Sequence, residues 1–196
     1  MFRLIMLLFA AVLAWQLMWP AKTVALGPGV MAAEAPVQHN LDNQDTFMLG
    51  DYRVTPLADF SLRAKLLARE SYFLGPEADL SPVDFALGWG PMSDEELLRN
   101  IEISQSGRWY RWRTSNSKIP LRQISRHSSN MHIIPADESV EDSLDDIAVG
   151  QIIELSGYLV RVDADDGWRW ISSLSREDRG AGACELFYVR QVRTVF

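Results

Sequence analysis

The side chains most suited to chemistry in this chain are two imidazoles and one thiol. In RHSSNMHIIPAD (126–137), His127 and His132 stand five positions apart. On a helix five residues turn about 500°, so the two rings would point roughly 140° apart. On a strand an odd separation puts them on opposite faces. Neither regular element aims both at one point. The spacing falls within the range used by zinc fingers, but such a site needs four ligands and a bent backbone. Cys184, the sole cysteine, supplies a further ligand only if its strand runs beside this one. His127 and His132 are therefore the metal candidates, and no cofactor is required, with a metal left open. Read as a strand, the stretch turns Met131 and Ile133 toward a core and sets Ser128, Asn130 and His132 in a polar row.

Cys184 and Glu185 follow the glycine-rich run Gly180-Ala-Gly182. A thiol beside such a turn is a nucleophile where a histidine activates it, which makes Cys184, Glu185 and His132 the catalytic candidates. The chain has no GxSxG elbow, no P-loop and no HExxH pair. The bland alternative is a cysteine packed as a small apolar side chain after a hairpin turn.

A third pattern is aromatic and basic. In RWYRWRT (108–114), Arg108, Tyr110 and Trp112 alternate with Trp109, Arg111 and Arg113, so each set shares a strand face. Trp168 and Trp170 share a face in GWRW, with Arg169 opposite. Arg108, Tyr110, Trp112, Trp168 and Trp170 are the ligand-binding candidates, since aromatic platforms with guanidinium groups suit sugars, extended peptides or single strands. The same rings are also what an ordinary core uses. Six carboxylates between Asp137 and Asp146 lack the EF-hand spacing and read as the solvated face of a helix.

The elements that would position these groups are mostly strands. Phe60, Leu62, Ala64 and Leu66 alternate with polar residues. SDEE (93–96) has the form of a capping box and predicts a helix over roughly residues 94–100. Strand patterns follow in IEIS, RWYRWRT, SNMHII, QIIELSGYLVRV, GWRWISSLS and ACELFYVRQV, with Val140, Leu144 and Ile147 at helical spacing between them. The fold class expected is mainly β with short helices (α+β), a small antiparallel OB-like barrel preceded by an N-terminal membrane helix.

Domain layout follows from composition. Hydrophobic residues make up 47% and charged residues 23%, which is the balance of a globular chain. Residues 1–21 carry Arg3 and then an apolar run broken only by Gln16, long enough for a signal peptide and slightly short for a full span. Lys22, Trp15 and Trp19 favour an uncleaved anchor, though a cleaved and secreted form stays open. Residues 22–45 mix Gly, Pro, Ala and short polar residues as a flexible tether would, and residues 46–196 form a single β-rich domain. The formal net charge is −7; without Arg3 and Lys22 the remaining 17 basic and 26 acidic residues give −9. That balance opposes nucleic acid and anionic lipid as partners of the domain.

Three stretches together, SPVDFALGWGPMSD (81–94), RHSSNMHIIPA (126–136) and SSLSREDRGAGACE (172–185), resemble a family of uncharacterised bacterial membrane-anchored envelope proteins. The resemblance implies a bacterial envelope protein of the same single-domain layout, and brings no activity with it. The expected function is a non-enzymatic binding or scaffolding module, held in the inner membrane by its N-terminal helix. The N-terminus would be cytoplasmic and the domain periplasmic, with an envelope protein or a glycan as partner. Two alternatives stand beside it: a metal- or thiol-dependent enzyme using His127, His132 and Cys184, and an OB-like single-stranded nucleic-acid-binding domain.

Overall fold

The computed structural model describes residues 23–42, 44–175 and 184–196. The strands are β1 (Val37–Asn40), β2 (Phe47–Leu49), β3 (Tyr52–Ser71), β4 (Val83–Gly88), β5 (Glu102–Ser106), β6 (Trp109–Arg113), β7 (Ser128–Pro135), β8 (Ile152–Asp163), β9 (Arg169–Ile171) and β10 (Glu185–Thr194). Short helices intervene: α1 (Pro76–Leu80), a 3-10 turn (Gly90–Ser93), α2 (Glu95–Leu98), α3 (Leu121–Arg126) and α4 (Glu138–Asp145).

The alternation around Phe60 is the middle of β3, whose 20 residues make it the longest of these strands. Its two flanks carry different partners. Arg53–Lys65 pair with β8, and Lys65–Ser71 pair with β4. The sheet has eight strands in the order β1-β3-β4-β7-β10-β8-β9, with β2 also on β3, and the pairing path from β3 through β4, β7, β10 and β8 comes back to β3. β5 and β6 form a separate two-stranded hairpin.

The expected small antiparallel OB-like barrel is corrected by these pairings. The fold is mixed α+β: the large sheet contains a parallel step, β10 against β7, and the β5–β6 hairpin stands outside it. The nucleic-acid alternative that rested on an OB-like face loses its basis with it. The expected N-terminal membrane helix finds no support among the described residues either. Residues 1–22 lie outside the described residues, and the described helices of four to eight residues include none long and apolar enough to cross a membrane. The single-pass inner-membrane topology, the periplasmic placement and the membrane as partner are accordingly withdrawn.

The main core collects Phe60, Leu62 and Leu66 of β3, Phe85 and Leu87 of β4, Met131 and Ile133 of β7, Leu155 and Leu159 of β8, and Phe187 and Val189 of β10. Val140 and Leu144 of α4 pack into it, while the carboxylates of that helix stay exposed. Strand spacing demands a near-bare backbone at one crossing. A Cβ on Gly157 of β8 would lie 2.0 Å from the Tyr188 carbonyl oxygen on β10.

Local signals shift by a residue. Asp94, not Ser93, caps α2 by accepting from the Glu96 amide at 2.9 Å. Ser93 is buried and its Oγ accepts from the amides of Met31 and Ala32. The segment read as a tether makes ordered contacts of this kind along its length. Leu26 and Gly27 donate to the Glu95 carboxylate at 2.6 and 2.9 Å, Thr23 bridges Val149, and β1 pairs with β3. Burial alone would raise the pKa of Glu95, but the Leu26 amide, Lys65 and the Gly27 amide together hold it below its ordinary value.

Candidate functional site

β4 is buried along its whole length, VDFALG, and carries an aspartate in the middle of that apolar run. Asp84 sits directly opposite His132 of β7 in the antiparallel register, with the Ala86–Asn130 pair two residues along. A carboxylate with no exposed surface must be partnered. Here Asp84 Oδ1 takes the Arg108 guanidinium at 2.7 Å and His132 Nδ1 at 2.8 Å, and Oδ2 accepts from Asn130 at 3.3 Å. His132 is itself only 5% exposed, its ring packed 4.8 Å from that of Trp170.

Arg108 reaches this point from the tip of the β5–β6 hairpin, where its backbone adopts φ 69°. That left-handed conformation is costly for a side-chain-bearing residue. The contacts around it offset the strain. Its amide donates to the Tyr72 hydroxyl at 2.9 Å, its guanidinium lies 3.7 Å from the centre of the Tyr72 ring, and Nη2 donates to the Ser81 carbonyl at 2.9 Å. Two more hairpin side chains act alongside it. Gln105 donates to Asn130 Oδ1 at 2.6 Å, and the Tyr110 hydroxyl donates to Ser128 Oγ at 2.9 Å. Burial pushes the Tyr110 hydroxyl up to about 12 against that hydrogen bond. The network thus moors the inner face of the hairpin to β4 and β7.

The two histidines part company. His127 ends α3, with Nδ1 2.8 Å from the Gln123 carbonyl and its ring against Gly90. Among the described residues no side-chain hydrogen bond or ion pair links it to the Asp84 network, and they contain no group of three or more His, Cys, Asp or Glu side chains able to hold a metal. The metal-enzyme alternative is corrected on that finding.

Cys184 does come beside β7, because β10 runs parallel to it with Glu185 opposite Met131 and Leu186 opposite His132. Burial, and then the neighbouring Glu185 carboxylate, push the thiol up to about 11, with a hydrogen bond from Asn130 pulling the other way. Such a shift disfavours the thiolate that a nucleophile would need at neutral pH. Glu185 is buried and accepts from Ser129 Oγ. The ligand-binding candidates lie in internal contacts as well. Trp112 packs on the cluster of Met92, Leu97, Ile101 and Ile124, while Trp168 and Trp170 join Tyr52, Val162 and Leu186.

Asp84 is the residue that sequence reasoning passed over. The signal was there: a charged side chain inside VDFALG, flanked by apolar residues on both sides, has to find partners once buried. Its hub role also explains the polar row of Asn130 and His132, which faces the interior of the molecule and not solvent.

Fold and site together define a mixed α+β domain with a basic hairpin fastened over a buried Asp–His–Arg–Asn network. No family model matches the chain, and the searches of curated proteins and of solved structures return no match either. The resemblance to a bacterial envelope family is corrected by that outcome, and the anchored envelope scaffold built on it falls with it.

Proposed function

We propose that the domain is a recognition module that binds an acidic protein segment on the solvent face of the β5–β6 hairpin. The observation that carries this is the row Trp109, Arg111 and Arg113, all exposed on β6, backed by an inner face fixed through Arg108, Gln105 and Tyr110. The surrounding charge agrees. Residues 99–126 hold seven basic side chains against Glu102 alone, a local balance of +6 in a chain of −7. Glu96 engages Arg99 and Lys118, whereas Arg113 meets among the described residues only Glu102, at 3.7 Å with both side chains largely exposed. A flat strand face with one indole and two guanidinium groups suits an extended carboxylate-bearing peptide, since arginine pairs with carboxylates two-pronged and indole covers the intervening chain.

The test is calorimetric titration of the chain with poly-glutamate at low salt. Saturable binding is expected, weakening as salt rises. Arg111→Glu with Arg113→Glu should abolish it while leaving the folded signal intact, and Trp109→Ala should weaken it. Binding untouched by the double charge reversal would overturn the proposal. Polyphosphate binding as tightly as poly-glutamate would overturn the choice of an acidic protein.

A further inference from the structure

The connection between β3 and α1 carries the two most exposed large apolar side chains among the described residues. Phe73 is 86% exposed and Leu74 92%, against 58% for the next, Met48 and Phe196. Apolar side chains exposed singly are ordinary, but two neighbours lying open together call for an occupant. The connection is short and held at both ends. The Tyr72 amide donates to the Pro82 carbonyl at 2.8 Å, and the Gly75 carbonyl accepts from the Ala78 amide at 2.9 Å as α1 begins.

Its place ties it to the recognition hairpin. Tyr72, the residue before the pair, takes the Arg108 amide on its hydroxyl and the Arg108 guanidinium over its ring. Trp109, next after Arg108, is 44% exposed and opens β6. The order along the surface is therefore Arg113, Arg111, Trp109, then the Phe73–Leu74 pair. Arg113 to Trp109 spans about 13 Å of strand, so an extended segment of roughly ten residues reaches from one end to the other. Charge changes along that line. Glu77, 3.9 Å from Arg108 Nε, and Asp79 are exposed on α1 just beyond the pair, and Arg108 is committed to Asp84 at 2.7 Å. These carboxylates disfavour an anionic lipid surface. A symmetric second copy would set them against their own counterparts.

We propose that the acidic segment bound by the hairpin carries an apolar anchor at one end, with its carboxylates on Arg111 and Arg113 and the anchor on Phe73 and Leu74. This rests on the hairpin reading and adds the second half of the partner's recognition sequence. Trp109 covers the chain between the two halves. The anchor carries no carboxylate of its own, because Glu77 and Asp79 would repel one.

Titration calorimetry of the full chain with three synthetic peptides tests it: hexaglutamate followed by Ala-Ala-Leu-Phe, hexaglutamate preceded by Phe-Leu-Ala-Ala, and hexaglutamate followed by four alanines. Strand direction selects one end, so one of the two apolar peptides should bind about tenfold or more tightly than the alanine control, the yield of covering one such side chain. Phe73→Ser with Leu74→Ser should bring that peptide down to the level of the control. Urea unfolding should stay unchanged, since both side chains are already open to solvent. Arg111→Glu with Arg113→Glu should weaken all three peptides. Failure of the alanine control to bind strikes the hairpin reading and this inference with it, whereas equal binding of all three strikes this inference alone. It is also overturned if the gain survives the Phe73, Leu74 double variant, or if the apolar tail without glutamates binds as tightly. Self-association in sedimentation, or binding to phosphatidylcholine vesicles, that this double variant abolishes would overturn it as well.

Discussion

Replacing Arg108 by methionine should expose how much of the domain hangs on the Asp84 network. The substitution keeps an unbranched side chain of similar reach but removes the guanidinium. Asp84, whose side chain is 1% exposed, then loses its 2.7 Å partner, and the Ser81 carbonyl loses its 2.9 Å donor. The stacking of the cation 3.7 Å from the Tyr72 ring centre goes as well. Removing one partner of a buried pair costs about 3–5 kcal/mol. His132 and Asn130 still address Asp84, which argues for the lower end of that range. With a urea slope of about 2 kcal/mol/M, a loss of roughly 3 kcal/mol lowers the unfolding midpoint by about 1.5 M. The double variant Asp84→Asn, Arg108→Met removes charge and partner together. It should be about 2 kcal/mol more stable than the sum of the single effects, because no uncompensated charge remains. Urea unfolding followed by far-UV circular dichroism gives all four midpoints. A single Arg108→Met variant within about 1 kcal/mol of the parent, or strict additivity in the double variant, would refute the reasoning.

Other expectations follow from single features. With its pKa near 11 against an ordinary 9.0, Cys184 should react with a disulfide reagent at pH 8 about a hundredfold more slowly in the folded chain than in urea. Glu95 is held below its ordinary 4.5, so its contribution is present above that value and is lost as pH falls through the lower folded pKa. Amide exchange at Leu26 and Gly27 should accelerate over that acid window, and Glu95→Gln should speed it already at neutral pH. Gly157→Ala should destabilise by roughly 1–3 kcal/mol in urea unfolding, since its Cβ meets the Tyr188 carbonyl oxygen at 2.0 Å. Gly167→Ala meets nothing within 4 Å, and only the cost of its φ of +90° applies there.

Local pattern was legible where one residue's neighbours decide its place. The alternation at Phe60–Leu66 gave a strand because the two faces differ in polarity, and Val140 and Leu144 at helical spacing gave α4. SDEE announced a helix start but not its register, since Ser93 is claimed by Met31 and Ala32, about sixty residues earlier in the chain. The contacts of the segment read as a tether were hidden for the same reason. Its glycines and prolines say nothing of Glu95 and Ser93, the side chains that receive its amides. At the site, His132 and its polar row were visible, but their meaning depended on Asp84 forty-eight positions away and on Arg108 arriving from a hairpin tip. Strand pairing across such distances leaves no local periodicity. The parallel neighbour of β7 was likewise invisible, and with it the company that Cys184 keeps.

The two flanks of β3 also set an order of events during synthesis. Its β4 flank finds a partner close by, with Lys65 opposite Gly88, whereas Arg53 must wait for Asp163. On a ribosome adding about 5–20 residues per second, the first pairing is available seconds before the second. Over that interval the leading stretch of β3, with Val54, Ala58 and Phe60 destined for the interior, presents an unpaired edge. The nascent chain is therefore most vulnerable to misassociation before β8 emerges, and a truncation ending ahead of Ile152 should be the most aggregation-prone length of this polypeptide.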